Sequence, residues 1–279
     1  MQKARTAKRH SRIFRYNGQS IQYCYWTSPG QAELDTIIFL GTGQTGSIPK
    51  WVASQCPSGV AVVAGAPHWK ADASGKDLKD FTIAYTRTSF DRVFADHQLK
   101  HVSTIAISQA APGVIWAAPS RAAQIKALCL IAPLGLTTEF FGGSDAARMR
   151  ELKRRAYRNF RQLKQSPLYS PRNLYSFLLL IGVRMREAER GASDRKYAEG
   201  LSYTIVKDCY QLARQLPFYL FLGARDVIFP PNEVHAALER AGKHDIKTTV
   251  LPLSHPTFIA RREAKLLRQI IAKVRAEAN

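Results

Sequence analysis

A chain of 279 residues with 46% hydrophobic and 22% charged side chains carries enough apolar surface to bury one large domain, which excludes a disordered or fibrous chain. No apolar run reaches the roughly 18 residues that a membrane span needs, and the longest, 174–183, falls short. Charge is the unusual quantity, because 41 Lys and Arg against 21 Asp and Glu give a formal +20, a surplus that argues for a polyanionic contact or an acidic substrate.

Residues 3–15 hold six basic and no acidic side chains, but polar-interrupted, strand-like sequence follows them and not the apolar stretch of a signal peptide. A cytoplasmic protein is expected. Residues 12–16 and 20–27, joined across Asn17-Gly18, predict an opening β-hairpin. Short runs rich in Val, Ile, Phe and Tyr at 36–40, 60–64, 101–107, 127–132, 218–222 and 247–253 predict the later strands, since each is too short for a core helix and ends in Gly, Pro or Ser. Helical patterns alternate with these runs. That order is the one expected of an α/β protein, a mostly parallel sheet with helices on both faces. Cys24, Cys56, Cys129 and Cys209 lie far apart without CxxC spacing and read as core residues, so neither a metal nor a disulfide is expected.

The segment 136–214 breaks the rhythm. It is helical by pattern, with no strand signal of similar strength, and is read as an inserted helical cap on a core made of 1–135 and 215–279. Met149, Leu152, Ala156, Phe160 and Leu163 recur at three- and four-residue intervals and predict the apolar face of one helix; Arg150, Lys153, Arg154, Arg158 and Arg161 cover the rest. Ser170-Pro171 predicts the start of another helix. Within 139–214 sixteen basic residues face eight acidic ones, and Arg154 and Arg158 are the positions expected to attract an anionic substrate. At the end of the chain Ile259, Leu266, Leu267, Ile270, Ile271 and Val274 form an amphipathic stripe that predicts a helix packed on the sheet.

Three residues follow three predicted strands. Ser108 comes at the strand-to-helix turn Ala106-Ile107-Ser108-Gln109-Ala110, where a sharp turn would lift its hydroxyl clear of the sheet and the next helix would offer free N–H groups to a developing oxyanion. Small residues two before and two after the serine, here both alanines, are what such a turn demands. A lone serine there reads more readily as a helix cap, so its neighbours must decide. Asp226 follows Gly223-Ala224-Arg225 in a loop past the next-to-last strand, and His255 stands in Ser254-His255-Pro256 just past the last. In a parallel sheet those strand ends align along the edge where ligands gather, so Ser108, Asp226 and His255 can converge.

In this order the chain resembles the α/β-hydrolase superfamily over nearly its whole length. The opening hairpin, the elbow at Ala106 to Ala110, Gly223-x-x-Asp226, the terminal His255 and the helical insertion before the acid strand all occur in that family's sequence of elements. The resemblance implies a serine hydrolase in which Ser108 attacks an acyl carbon, His255 moves the proton and Asp226 orients the imidazole, acting on a small-molecule ester, thioester or amide without a cofactor. It further implies that the backbone N–H of Gln109 supplies one half of an oxyanion hole and that the other half comes from Thr42, Gly43 or Gln44. Two features depart from the family pattern: Gly41-Thr42-Gly43 stands where many members carry His-Gly, and alanines replace both elbow glycines. The alternative reading is therefore a non-catalytic binding protein of the same fold.

A rival of another class rests on Gly41-x-Gly43-x-x-Gly46, which has dinucleotide-binding spacing, but the carboxylate expected after the following strand is replaced by Ala64-Gly65-Ala66-Pro67. No zinc-finger, RRM or OB pattern accompanies the basic residues, and no specific nucleic-acid partner is expected.

Overall fold

Lys8, Arg9, Arg12 and Arg15 lie on one strand of an antiparallel ribbon, β1 (Lys8–Tyr16) paired along its length with β2 (Gln19–Thr27). β1 begins four residues earlier than its apolar pattern suggested. Residues 8–11 are extended because residues 24–27 pair with them, and pairing needs no apolar side chain. A computed structural model describes residues 8–16, 19–27, 34–41, 56–66, 77–165, 199–242, 246–255 and 261–277. The Asn17-Gly18 turn and the helix start at Ser170-Pro171 lie outside them.

The chain continues through β3 (Thr36–Phe39), β4 (Val60–Val63), α1 (Leu78–His97), β5 (Val102–Ile107), α2 (Ala111–Ala117) and β6 (Ile125–Ile131). After β6 come α3 (Asp145–Gln165) and α4 (Val206–Ala213), then β7 (Phe218–Gly223), α5 (Pro231–Arg240), β8 (Lys247–Leu251) and α6 (Arg261–Glu277). The eight strands form one sheet in the order β1-β2-β4-β3-β5-β6-β7-β8. β2 runs antiparallel to β4, and every pairing from β4 to β8 is parallel. This is the mostly parallel sheet that the short apolar runs predicted.

Both faces of the sheet are covered, which is why its inner strands are buried at nearly every position and not at every second one. Ile37, Phe39, Ala106, Leu128, Leu220 and Leu222 pack with residues of α1, α2, α4 and α5. Their neighbours in sequence, Ile38, Leu40, Ile105, Ile107, Cys129 and Phe221, pack on the opposite face with Leu267, Ile270, Ile271 and Val274 of α6. Each Ile, Leu, Val or Phe among them contributes about 1.5–3 kcal/mol when wholly buried. Arg275 of α6 also clamps Asp35 at the foot of β3, with Nη2 2.5 Å from Oδ1. All four cysteines are buried and free, and burial raises the thiols of Cys56, Cys129 and Cys209, the first to about 12, so these three are not thiolates at neutral pH.

The described residues between β6 and β7 are helical or irregular, without a strand. On α3 the buried face differs from the expected one. Met149 and Leu152 do pack inward, against Phe141 and Phe229, but Ala156 is exposed, and the buried residues of the next turns are Arg155 and Asn159. Phe160 and Leu163 lie outside the described side chains. Among the described residues no helix is long and apolar enough to cross a membrane.

Candidate active site

The elbow after β5 is built from backbone strain. Ser108 has φ +52°, a left-handed conformation that costs an L-residue roughly 1–2 kcal/mol and turns its side chain out of the sheet. One turn of 3₁₀ helix, Ser108–Ala110, then feeds α2, which has a proline in its first turn. The Ser108 carbonyl accepts a hydrogen bond from Leu134 N–H at 3.1 Å, which pins the turn to the segment after β6. Space around the elbow is tight. Ala106 is wholly buried, and a Cβ on Gly41 would stand 3.3 Å from Ile107 O, 3.5 Å from Ser108 Cβ and 3.5 Å from Gln109 N. The chain leaving β3 thus passes directly beside the Gln109 amide. Gly65 makes room for that passage, since a Cβ there would lie 2.3 Å from Leu40 O. Thr42, Gly43 and Gln44 lie outside the described residues.

Asp226 sits in the turn after β7, its N–H donating to Gly223 O at 3.0 Å. Its side chain is wholly buried, and three donors satisfy it: Ile228 N–H (2.8 Å) and Phe229 N–H (2.9 Å) to Oδ1, and His255 Nδ1 (2.8 Å) to Oδ2. Such an acceptor-only arrangement suits a carboxylate. β8 stops at Leu251, two residues short of its apolar run, because Leu253 N–H turns back to Leu251 O. Ala224 N–H then donates to Leu251 O and Arg225 N–H to Leu253 O, at 2.7 and 2.8 Å, so the two loops zip together. His255 is carried onto Asp226 by this zipper.

The His255 ring completes the chain of contacts, with Nε2 3.1 Å from Ser108 Oγ. Because Nδ1 faces an acceptor, it carries the proton, and Nε2 is left with the lone pair toward the serine hydroxyl. The edge of the ring also meets Phe229, centroids 5.3 Å apart. Serine, imidazole and carboxylate therefore stand in one hydrogen-bonded line, an arrangement in which the imidazole can take a proton from the hydroxyl while the carboxylate orients it. Among the described residues no group of three or more His, Cys, Asp or Glu is placed to hold a metal ion.

Arg154 and Arg158 are exposed on α3, and Arg154 is engaged with Glu151 through Nε at 2.6 Å and Nη2 at 2.5 Å. The neighbouring Arg155 was not singled out by sequence pattern, yet it is 5% exposed and reaches the acid loop itself. The one available signal was Glu151 four residues earlier, which on a helix also describes an ordinary surface pair.

No model of a protein family matches the chain, and no curated protein matches it in sequence. Solved structures do. The chain is similar to a probable hydrolytic enzyme from Pseudomonas aeruginosa, with TM-score 0.57 and 18% identity over 96% of this chain and 94% of that one. It is similar to an α/β-hydrolase enzyme from the metagenome of lagoon sediments at Mar Chica, Morocco (TM-score 0.57, 10% identity, 95% and 98% covered). It is also similar to a bacterial membrane phospholipase A (TM-score 0.55, 15% identity, 97% and 87% covered). With these likenesses and its sheet order, the chain has the α/β-hydrolase fold.

Proposed function

We propose that the protein is a serine hydrolase that cleaves a carboxylic ester, thioester or amide through an acyl-enzyme. The observation that carries this reading is the unbroken line Ser108 Oγ, His255 Nε2, His255 Nδ1, Asp226 Oδ2, with its serine on a strained elbow. His255 Nε2 takes the hydroxyl proton as Oγ bonds to the acyl carbon, and the imidazolium is stabilised by Asp226. The negative oxygen of the tetrahedral intermediate is held by the N–H of Gln109 and a donor from the loop after Gly41, among Thr42, Gly43 and Gln44. Collapse breaks the bond to the leaving group, which receives the proton from His255. Water then attacks the acyl carbon with His255 as base, and Ser108 leaves with its proton restored. Structural neighbours bearing hydrolase and phospholipase names support the same class of reaction.

In this reading 136–214 is the cap, and the exposed cations of α3, Arg158 among them, favour an anionic acyl substrate. A fluorophosphonate probe tests the core of it, since labelling needs an activated serine and little substrate recognition. Stoichiometric labelling that Ser108→Ala removes is expected. Labelling that persists in Ser108→Ala would overturn the assignment, and an unlabelled wild type would leave the non-catalytic reading in its place.

A further inference from the structure

The guanidinium of Arg155 makes five hydrogen bonds, within α3 and to the segments packed beside it. Nε donates to Glu151 Oε1 (2.7 Å), Nη1 to Glu233 Oε2 (2.7 Å) and to Ile228 O (3.0 Å), and Nη2 to Glu233 Oε1 (3.0 Å) and Phe140 O (3.4 Å). Its Cζ stands 4.5 Å over the ring of Phe141. Two carboxylates satisfy the charge, so burial is not what needs explaining. The contact with Ile228 is different in kind. The carbonyl of Ile228 and the N–H of Phe229 belong to a single peptide group. Arg155 donates to one end of that group, while the other end donates to Oδ1 of Asp226 at 2.9 Å.

We propose that Arg155 is a positioning residue for the triad acid, acting through the Ile228–Phe229 peptide to hold Asp226 in line with His255. Two physical effects support this. A cation on the carbonyl fixes the rotation of the peptide plane, so that the N–H cannot swing away from Asp226. It also polarises the group and strengthens the far hydrogen bond, as bonds in a chain do in a low-dielectric interior. Phe229, whose N–H is the one held, also packs against Phe141 (centroids 6.0 Å) and against the His255 ring, so the same fixed segment borders both acid and base. Through Arg155, α3 is thereby joined by hydrogen bonds to the peptide that holds Asp226.

The inference rests on Asp226 being the triad acid, and the experiment separates the two ideas. Arg155→Met, Arg155→Lys and Leu152→Ala are compared with wild type by unfolding midpoint, by kcat and KM on a small neutral ester such as 4-nitrophenyl acetate, and by the downfield proton NMR signal of the His255 Nδ1–H, assigned by its loss in His255→Ala. Leu152 belongs to the same apolar cluster, but its hydrocarbon side chain donates no hydrogen bond to the Ile228 carbonyl, so its variant reports what loosening the packing of α3 does by itself. Expected for Arg155→Met is a kcat lower by about 10- to 100-fold at near-constant KM, since misplacing a reacting side chain by about 1 Å can cost on the order of 100-fold, with the Nδ1–H signal shifted upfield or broadened. Arg155→Lys, which keeps one cationic donor, should recover part of both. Leu152→Ala should lose stability with the signal in place and kcat within about threefold of wild type. Wild-type kcat in Arg155→Met, or an equal fall in kcat and signal in Leu152→Ala, overturns the proposal. Should Arg155→Met not fold, Arg155→Lys decides, an unaltered signal and kcat counting against the idea. A wild type without esterase activity refutes the hydrolase reading alone, because the NMR comparison still tests the coupling of Arg155 to the Asp226–His255 bond.

Discussion

Ser108 Oγ and His255 Nε2 stand 3.1 Å apart across 147 positions of sequence, joined only because the elbow after β5 and the loop after β8 open on the same edge of the sheet. A nucleophile and base that act together lose their function together. His255→Ala is expected to lower kcat on the order of 10⁶-fold, and Asp226→Asn by about 10⁴-fold, because an amide can present its NH₂ to Nδ1 and favour the wrong imidazole tautomer. Steady-state kinetics on the double variant should show little further loss. Additive losses, or a His255→Ala enzyme with near-normal kcat, would mean that the two residues do not share one step.

The positive φ at Ser108 predicts a conflict between stability and activity. Ser108→Gly relieves the left-handed strain, whereas Ser108→Ala keeps a Cβ and the strain with it. Both variants should be inactive, with the glycine variant the more stable of the two by about 1 kcal/mol in denaturant unfolding. Equal stabilities would show that the elbow is relaxed in solution.

Gly223, at the end of β7, is needed for a reason other than its φ. A Cβ there would stand 2.7 Å from Leu253 O, 2.9 Å from Ser254 O and 3.2 Å from Asp226 Cβ. Two of these are backbone atoms of the segment that delivers His255, so Gly223→Ala must push the two loops apart. A stability loss of about 1–3 kcal/mol is expected, with kcat falling by at least about tenfold. An alanine variant that unfolds and turns over like wild type would show that the loops adjust without cost.

The strands, and the three residues that the fold brings into one hydrogen-bonded line, were legible in the sequence because each signal is local: a short apolar run, and a Ser, Asp or His in the few positions after it. The convergence followed from topology, since parallel strands put their ends on one edge. Arg155 was not legible. Its burial depends on Glu233, 78 positions away on α5, and an arginine among Lys153, Arg154 and Arg158 reads as one more solvated charge. For the same reason the inward face of α3 was placed on Ala156, one position from the residue that the fold turns inside, a rotation of about 100° on a helix. The early start of β1 was hidden because basic and polar residues carry no apolar alternation, and only the pairing with β2 makes them a strand.

The ion pairs on α3 also predict an acid sensitivity. Arg154 first, and then Arg155, hold the Glu151 carboxyl down to about 2 from its usual 4.5. A depressed carboxylate stabilises the fold above its unfolded-state value and loses that contribution as pH falls through the folded value, here from about 4.5 to about 2. The unfolding midpoints of wild type and Glu151→Gln should therefore differ most at neutral pH and converge over that window, with salt reducing the gap because Arg154 is exposed. A gap that is the same at pH 7 and pH 2 would contradict this.

The cations of α3 lead to the last expectation. Arg154 is already paired with Glu151, so Arg158, exposed on the same helix, is the cleaner probe of whether this surface draws in an anionic substrate. Attraction of this kind acts on capture, so kcat/KM should respond more than kcat. Exposed charges are screened over about 10 Å at 0.1 M salt. Raising ionic strength should therefore lower kcat/KM for an anionic ester while leaving a neutral ester of equal size almost unchanged. Arg158→Glu at low salt should reproduce the loss for the anionic ester alone, and its effect should fade as salt is added. If both esters respond alike to salt, or Arg158→Glu changes neither, the positive surplus of α3 is a solvated surface, and the step from net charge to an anionic substrate fails.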